Sequence, residues 1–555
     1  MNTRSNPLRC LIIAACLHAA CFAQVANSTP PSNRTYRVAG TIVNRLDGTL
    51  LSSARVTLRG VKNSETDIFA ITSANGRFEF TGVPAGKYTL TGAKRGFIAS
   101  AYDQHDNFST SIVTGAGVDT ENLVLRIVPA GMIAGAVLDE AGDPVRNASV
   151  NLYREDRSEG IVQIQNSRGA QTDDLGAFEF TALNPGTYYL SVNAKPWYAL
   201  HPSSAPSRGK SNDEEASSTP ETFDPALDVA YPITYYPNAL ESDGASPIVI
   251  RGGERLQLDM HVTPVPSLRL RIHLPNNGRS GYAAPQFQQP AFDGTIPLQG
   301  TAVSMLKPGV LEIAGIPAGR YDLQFPAFQQ SASGRIKGLE IKTDGQDLDV
   351  SAVEAPGSVK ISVRLPGDAA IPKGLQIGLS GGHRSMQWRK LGPKADAEFQ
   401  DLPAGRYELT LSGGSAHYSI SRVEGAGTVG HSLTVAPGSS LSLTITLSAG
   451  SVEVEGVVKR AGQPFSGAMV VLVPSNPEGN QDLFRRDQSD LDGTFVLHDV
   501  VPGSYTVLAI EDGWDLSWSE ASAMAPYLKH GHPLKIAAEN RTVINLPDPV
   551  PAQER

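Results

Sequence analysis

Few residues in this chain have the types and spacing that chemistry needs. His530-Gly531-His532 sets two imidazoles where they could share a metal ion, but no third ligand follows nearby, and a surface loop accounts for the pair. None of the 11 histidines is followed three residues on by Glu, the pair with which a zinc peptidase holds its metal. There is no Gly-x-Ser-x-Gly and no glycine-rich phosphate loop ending in Lys-Ser/Thr. Two acidic turns, Asp173-Asp174-Leu175-Gly176 and Asp490-Leu491-Asp492-Gly493, have a calcium-loop flavour. A full calcium loop needs more oxygens at alternating positions and a terminal bidentate Glu, and Gln488 stands where the first Asp should be. An Asx-type turn into a strand explains them. No catalytic, cofactor-binding or metal-binding residue is therefore expected. The candidate ligand contacts are Trp514 and Trp518, with Tyr527 beyond and Glu511, Asp512 and Asp515 beside them. Indole faces can stack on sugar rings with polar groups alongside. The competing expectation is that these rings cover the edge of a fold. Trp197-Tyr198 and Tyr235-Tyr236 are weaker aromatic pairs of the same kind.

The chain carries 47 basic and 56 acidic residues, a formal net charge of −9. A nucleic-acid partner needs a basic face, so none is expected. Residues 1–23 read as an export signal: Arg4 and Arg9, an apolar centre from Leu11 to Leu17, then small residues before a cut at Gln24. Ile13-Ala14-Ala15-Cys16 offers lipid anchoring through Cys16 as an alternative. All three cysteines (Cys10, Cys16, Cys21) fall in this segment, which leaves the mature chain without thiol or disulfide chemistry. No later stretch is apolar for long enough to span a bilayer as a helix.

The elements that must position any site come from a repeat. A Phe-x-Phe strand, a turn ending in Gly and a Tyr two residues later recur with Gly86, Gly186, Gly319, Gly405 and Gly503. The phrase reads as a hairpin whose Gly supplies a positive φ. Three copies open on alternating strands, Val38-x-Gly40-x-Ile42, Ile133-x-Gly135-x-Val137 and Val454-x-Gly456-x-Val458. Each is followed by a second strand, such as Ala54-x-Val56-x-Leu58, and later by a short closing strand such as Leu123–Ile127. Many short strands with regular turns specify β-sandwiches.

These residues resemble the carboxypeptidase regulatory-like domain, a transthyretin-like (prealbumin-like) Greek-key sandwich related to the repeat domains of bacterial surface adhesins. The resemblance implies a folding unit and no peptidase activity. Some adhesins cross-link such domains with a Lys–Asn isopeptide bond promoted by a Glu. Here the corresponding positions are Thr91, Ser191, Gln324, Thr410 and Leu508, so no such bond is expected. The expected fold class is all-β: elongated, tandem Greek-key sandwich modules at 35–128, 129–263, 264–354, 355–449 and 450–548. The second module holds an insertion with a mobile loop at 201–220. The expected function is that of a non-enzymatic exported interaction or scaffold protein of the cell envelope or surface. Its partner would be a polysaccharide or a cell-envelope protein. Carbohydrate binding through exposed aromatics is the alternative, and an accessory role in a metallocarboxypeptidase system is a third reading.

Overall fold

The computed structural model describes residues 34–62, 67–202, 224–274, 284–325, 334–349, 355–365, 374–381, 386–413, 418–449, 452–478, 480–537 and 543–555. The export segment and most of the 201–220 loop lie outside the described residues. The fold is all-β. Strands gather into five successive sandwiches, and in the last of these the two sheets join.

The first sandwich shows the plan. One sheet holds Arg77–Pro84, Thr35–Asn44 and Leu123–Ile127. The other holds Ile68–Ile71, Arg55–Gly60, Gly86–Ala93 and Ser100–Ala101. Alternation decides what each strand buries. Phe78 and Phe80, Val56 and Leu58, and Leu123, Leu125 and Ile127 all point into one core with Val38, Ile42 and Leu90. The closing strand lies parallel to the opening one, pairing Gly40 with Leu123. The same parallel closure recurs in the other four sandwiches. It explains the glycine of the opening strand: a Cβ on Gly40 would sit 2.1 Å from the Leu123 carbonyl oxygen.

The repeated phrase is not a hairpin. Arg77–Pro84 pairs with the opening strand, whereas Gly86–Ala93 pairs with Arg55–Gly60 in the opposite sheet. The turn thus carries the chain from one sheet to the other, and this holds for every copy. Nor do the turn glycines supply a left-handed residue. Gly86 and Gly186 stand at φ 159° and 156°, beside the extended region, and Gly319, Gly405 and Gly503 are not positive-φ residues. The left-handed position lies four residues earlier, at Gly82 (φ 74°), Ala182 (54°), Gly315 (81°), Asp401 (56°) and Asp499 (53°). Each belongs to a β-bulge in which two residues oppose one on the opening strand. Space favours glycine at the turn in some copies but not at Gly405, where a Cβ would meet nothing within 4 Å. In the fifth copy a Cβ on Gly503 would meet the Tyr505 ring at 3.0 Å.

That ring is held by its hydroxyl. Tyr88, Tyr188, Tyr321, Tyr407 and Tyr505 each donate to the carbonyl four residues earlier, at Pro84 (3.1 Å), Asn184 (2.8 Å), Pro317 (2.8 Å), Pro403 (2.7 Å) and Val501 (2.9 Å). This is a tyrosine corner, which pins the crossing from sheet to sheet.

The final strand, Val550–Gln553, runs past residue 548. It lies parallel both to Val452–Arg460 and to Gly503–Ile510, and so joins the two sheets of the fifth sandwich. Cores also form between sandwiches. Tyr153, Ile233 and Tyr235 of the second pack with Ala291, Ile296 and Phe292 of the third. Lys337 reaches the Ala404 carbonyl at 3.1 Å, and His431 bonds to Asp482. The chain then folds back. The first module contacts the fifth through Lys87 and Ser111 on Asp490, a contact that the repeat spacing does not announce.

Candidate functional site at the contact of the first and fifth modules

The contact is built from a loop of the first module, residues 102–111, and three pieces of the fifth. These are the edge strand Arg485–Gln488, the acidic turn after it, and the 513–518 segment. A β-bridge between His105 and Phe108 folds the loop into a small finger. Positive φ at Asp103 and Asp106 lets it turn twice.

Arg486 is at the centre. Its side chain is almost fully buried and lies over three rings: Phe108 at 4.9 Å, Trp518 at 4.9 Å and Trp514 at 5.4 Å. Cation–π attraction strengthens when water is excluded. Its Nη2 donates to Asp106 at 3.1 Å, while Nε and Nη1 find no partner among the described residues. Burial lowers the Arg486 pKa, and Asp106 opposes that shift. The His105 ring stacks on Trp514 at 4.6 Å and 3°. Gln488 ties the finger down: its Nε2 donates to the Asp103 carbonyl (2.6 Å) and Thr110 Oγ1 (2.8 Å), and its Oε1 faces His105 Nδ1 (3.2 Å).

The two acidic turns have different roles. Asp490 accepts from the Ser111 backbone N–H (2.9 Å) and from Lys87 Nζ (2.5 Å), both in the first module. Leu491 packs on the first module's core, and its N–H donates to the Ser111 carbonyl at 3.1 Å. Asp173 instead accepts from the N–H groups of Leu175 and Ala177, an Asx turn with no outside partner among the described residues. A second-module loop joins the same region, where Ser519 donates to the Glu159 carbonyl at 3.0 Å.

Trp514, Trp518 and Tyr527 lie together, partly buried against a cluster of Met469, Val471, Leu508, Ile510 and Met524. Trp514 donates to the Gly467 carbonyl at 3.3 Å. Trp197 is 87% exposed, edge-on to Tyr198, while Tyr235 is fully buried. His530 ends a short turn and His532 begins the strand His532–Ile536. Sequence reasoning missed His105, Phe108 and Arg486. No local pattern marks them, because their partners lie about 380 residues away in the chain.

Residues 37–122 and 132–203 match the family model of the carboxypeptidase regulatory-like domain. Nothing among the curated proteins matches the sequence. Solved structures that align with it include the Bacillus anthracis TIE protein, at 12% identity over 76% of each chain with a TM-score of 0.17. Two B repeat units of the collagen binding protein of Staphylococcus aureus align at 10% identity over 74% of this chain and 100% of theirs, with a TM-score of 0.12. The Bacillus cereus major pilin subunit aligns at 9% identity over 94% and 99%, with a TM-score of 0.14. Superpositions at this level carry no argument about function.

Proposed function

We propose that this chain, whose first two modules are carboxypeptidase regulatory-like domains, is an exported, non-catalytic interaction scaffold of the cell envelope or surface. One observation carries the reading: the conspicuous side chains serve folding and docking. The five repeat tyrosines hold sheet crossings, Asp173 caps a turn, and Asp490 joins two modules. No group of three or more metal-ligating side chains occurs among the described residues, and no described helix is long and apolar enough to cross a membrane. Glycan binding through Trp514, Trp518 and Tyr527 is the second reading. It would require rings that now pack against the fifth module and the first to become available.

The test is fractionation combined with proximity cross-linking in cells. The scaffold reading expects the chain in the envelope or outside it, beginning at Gln24, and cross-linked to defined envelope components. It also expects no turnover of peptide, ester or glycoside substrates. Retention in the cytoplasm, or a turnover that a point substitution abolishes, sinks it.

A further inference from the structure

A cavity of about 270 Å³ lies in the first module beside the contact just described. Its floor is the outer face of the closing strand. Leu123, Leu125 and Ile127 point into the core, so Val124 and Arg126 project the other way, and Val128 continues that row. The segment from Ser100 to His105 crosses above and contributes Tyr102 and His105 to the walls. Arg45 closes one end, held there by its N–H on the Ile127 carbonyl at 2.9 Å.

The chemistry of this lining is specific. Two exposed arginines line a cavity with apolar valines at its base. Neither guanidinium makes an ion pair or hydrogen bond among the described residues. The one carboxylate in the lining, Asp103, is turned away: its Oδ2 lies 3.3 Å from Thr110 Oγ1, toward the fifth module. In a chain of net charge −9, this is a local reversal of sign. Arginines suit a planar oxyanion, which one guanidinium can grip with two parallel hydrogen bonds while a second adds charge and a further bond. Valine methyls and a phenol ring suit the body of a small cyclic molecule.

We propose that this cavity binds an acidic sugar unit, with Arg45 and Arg126 on its carboxylate and its ring against Val124, Val128 and Tyr102. His105 belongs both to the cavity wall and to the stack on Trp514, so occupancy is reported by indole fluorescence. The inference goes beyond the scaffold reading, which stands without it.

The experiment titrates the purified full chain with sodium glucuronate, glucose and sodium sulfate, by calorimetry and by tryptophan fluorescence. The expected order is glucuronate tightest, sulfate weaker and glucose weakest. The double variant Arg45→Gln/Arg126→Gln should bind glucuronate at least about tenfold more weakly, the loss expected for charge-assisted bonds. Its melting should be unchanged, because both side chains are exposed. The proposal is overturned if glucuronate at about 10 mM, well above ordinary weak-site constants, gives neither heat nor a fluorescence change. It is equally overturned if glucose binds as tightly as glucuronate, or if the double variant binds like the parent. Sulfate binding as tightly as glucuronate overturns the sugar assignment.

Discussion

The repeated tyrosine is the residue whose role is clearest. Its hydroxyl donates to a carbonyl at the point where the chain leaves one sheet for the other, so removing it leaves a shielded acceptor without a donor. Tyr505→Phe is expected to cost the fifth module about 1–2 kcal/mol, seen as faster native-state hydrogen exchange in residues 450–555 and unchanged exchange in the third module. Equal exchange in parent and variant would mean that the 2.9 Å bond to Val501 contributes nothing. The bulge gives a second test of opposite sign. Ala182 holds φ 54°, which costs an L-residue about 1–2 kcal/mol, part of which glycine returns as unfolded-chain entropy. Ala182→Gly should therefore stabilise the second module by up to about 1 kcal/mol. Slower exchange there supports the assignment, and faster exchange refutes it. The sequence placed this strain at Gly186, because Pro-Gly is the familiar turn signal. The residues that bear it (Gly82, Ala182, Gly315, Asp401 and Asp499) share no common type and so left no motif.

For the strands, alternation marked what is buried. Phe78, Phe80, Leu123 and Leu125 lie in the core their spacing indicated. Alternation is silent about which neighbour a strand pairs with. Two strands joined by Pro and Gly read alike whether the turn folds them into one sheet or carries the chain across a sandwich, which is why the crossing was read as a hairpin. The edge strand Arg485–Gln488 shows what such placement does to a charge. Burial pushes the Asp487 carboxyl up to about 6, against the opposing pull of N–H groups from Val496 and Gln488. A raised folded pKa means that the native state holds the proton more tightly than the unfolded chain does. The penalty for ionising Asp487 is then absent below its ordinary 3.8, grows as pH rises to about 6, and is complete above that. Asp487→Asn keeps an oxygen for the 2.7 Å bond from Val496 N–H and removes the charge. The variant should be more stable than the parent at pH 7, by about 1–2 kcal/mol, and the two should converge near pH 4. A difference that is constant across that range would mean that Asp487 is not the titrating group.

At the scale of the molecule, short connectors between sandwiches fit an extended string and a closed arrangement equally well, and the choice rests on a few side chains distant in sequence. Arg486 on Phe108, Trp514 and Trp518, His105 on Trp514, and Asp490 with Lys87 and Ser111 join the first module to the fifth. None of these pairs can be recognised until both ends are in place, so the closure was not legible in the sequence. The contact also engages residues that stand out in the sequence. The acidic turn at Asp490 and the candidate sugar platform at Trp514 both face another module. Because the closure depends on Asp106 beside a buried Arg486, reversing that charge should oppose it strongly. An Asp106→Lys substitution places a second cation beside Arg486, which is almost fully shielded from water. Removing the partner of a buried charge costs about 3–5 kcal/mol, less here because Asp106 is 35% exposed. Lys87→Glu would in addition set a carboxylate against Asp490. The double variant should keep five folded sandwiches, since neither residue belongs to a core. It should show a larger maximum dimension in small-angle scattering and altered fluorescence as Trp514 loses His105. Parent and double variant with the same scattering profile would mean that this contact does not hold the chain closed. A parent already extended in solution would restore the open string that the repeat spacing alone suggests.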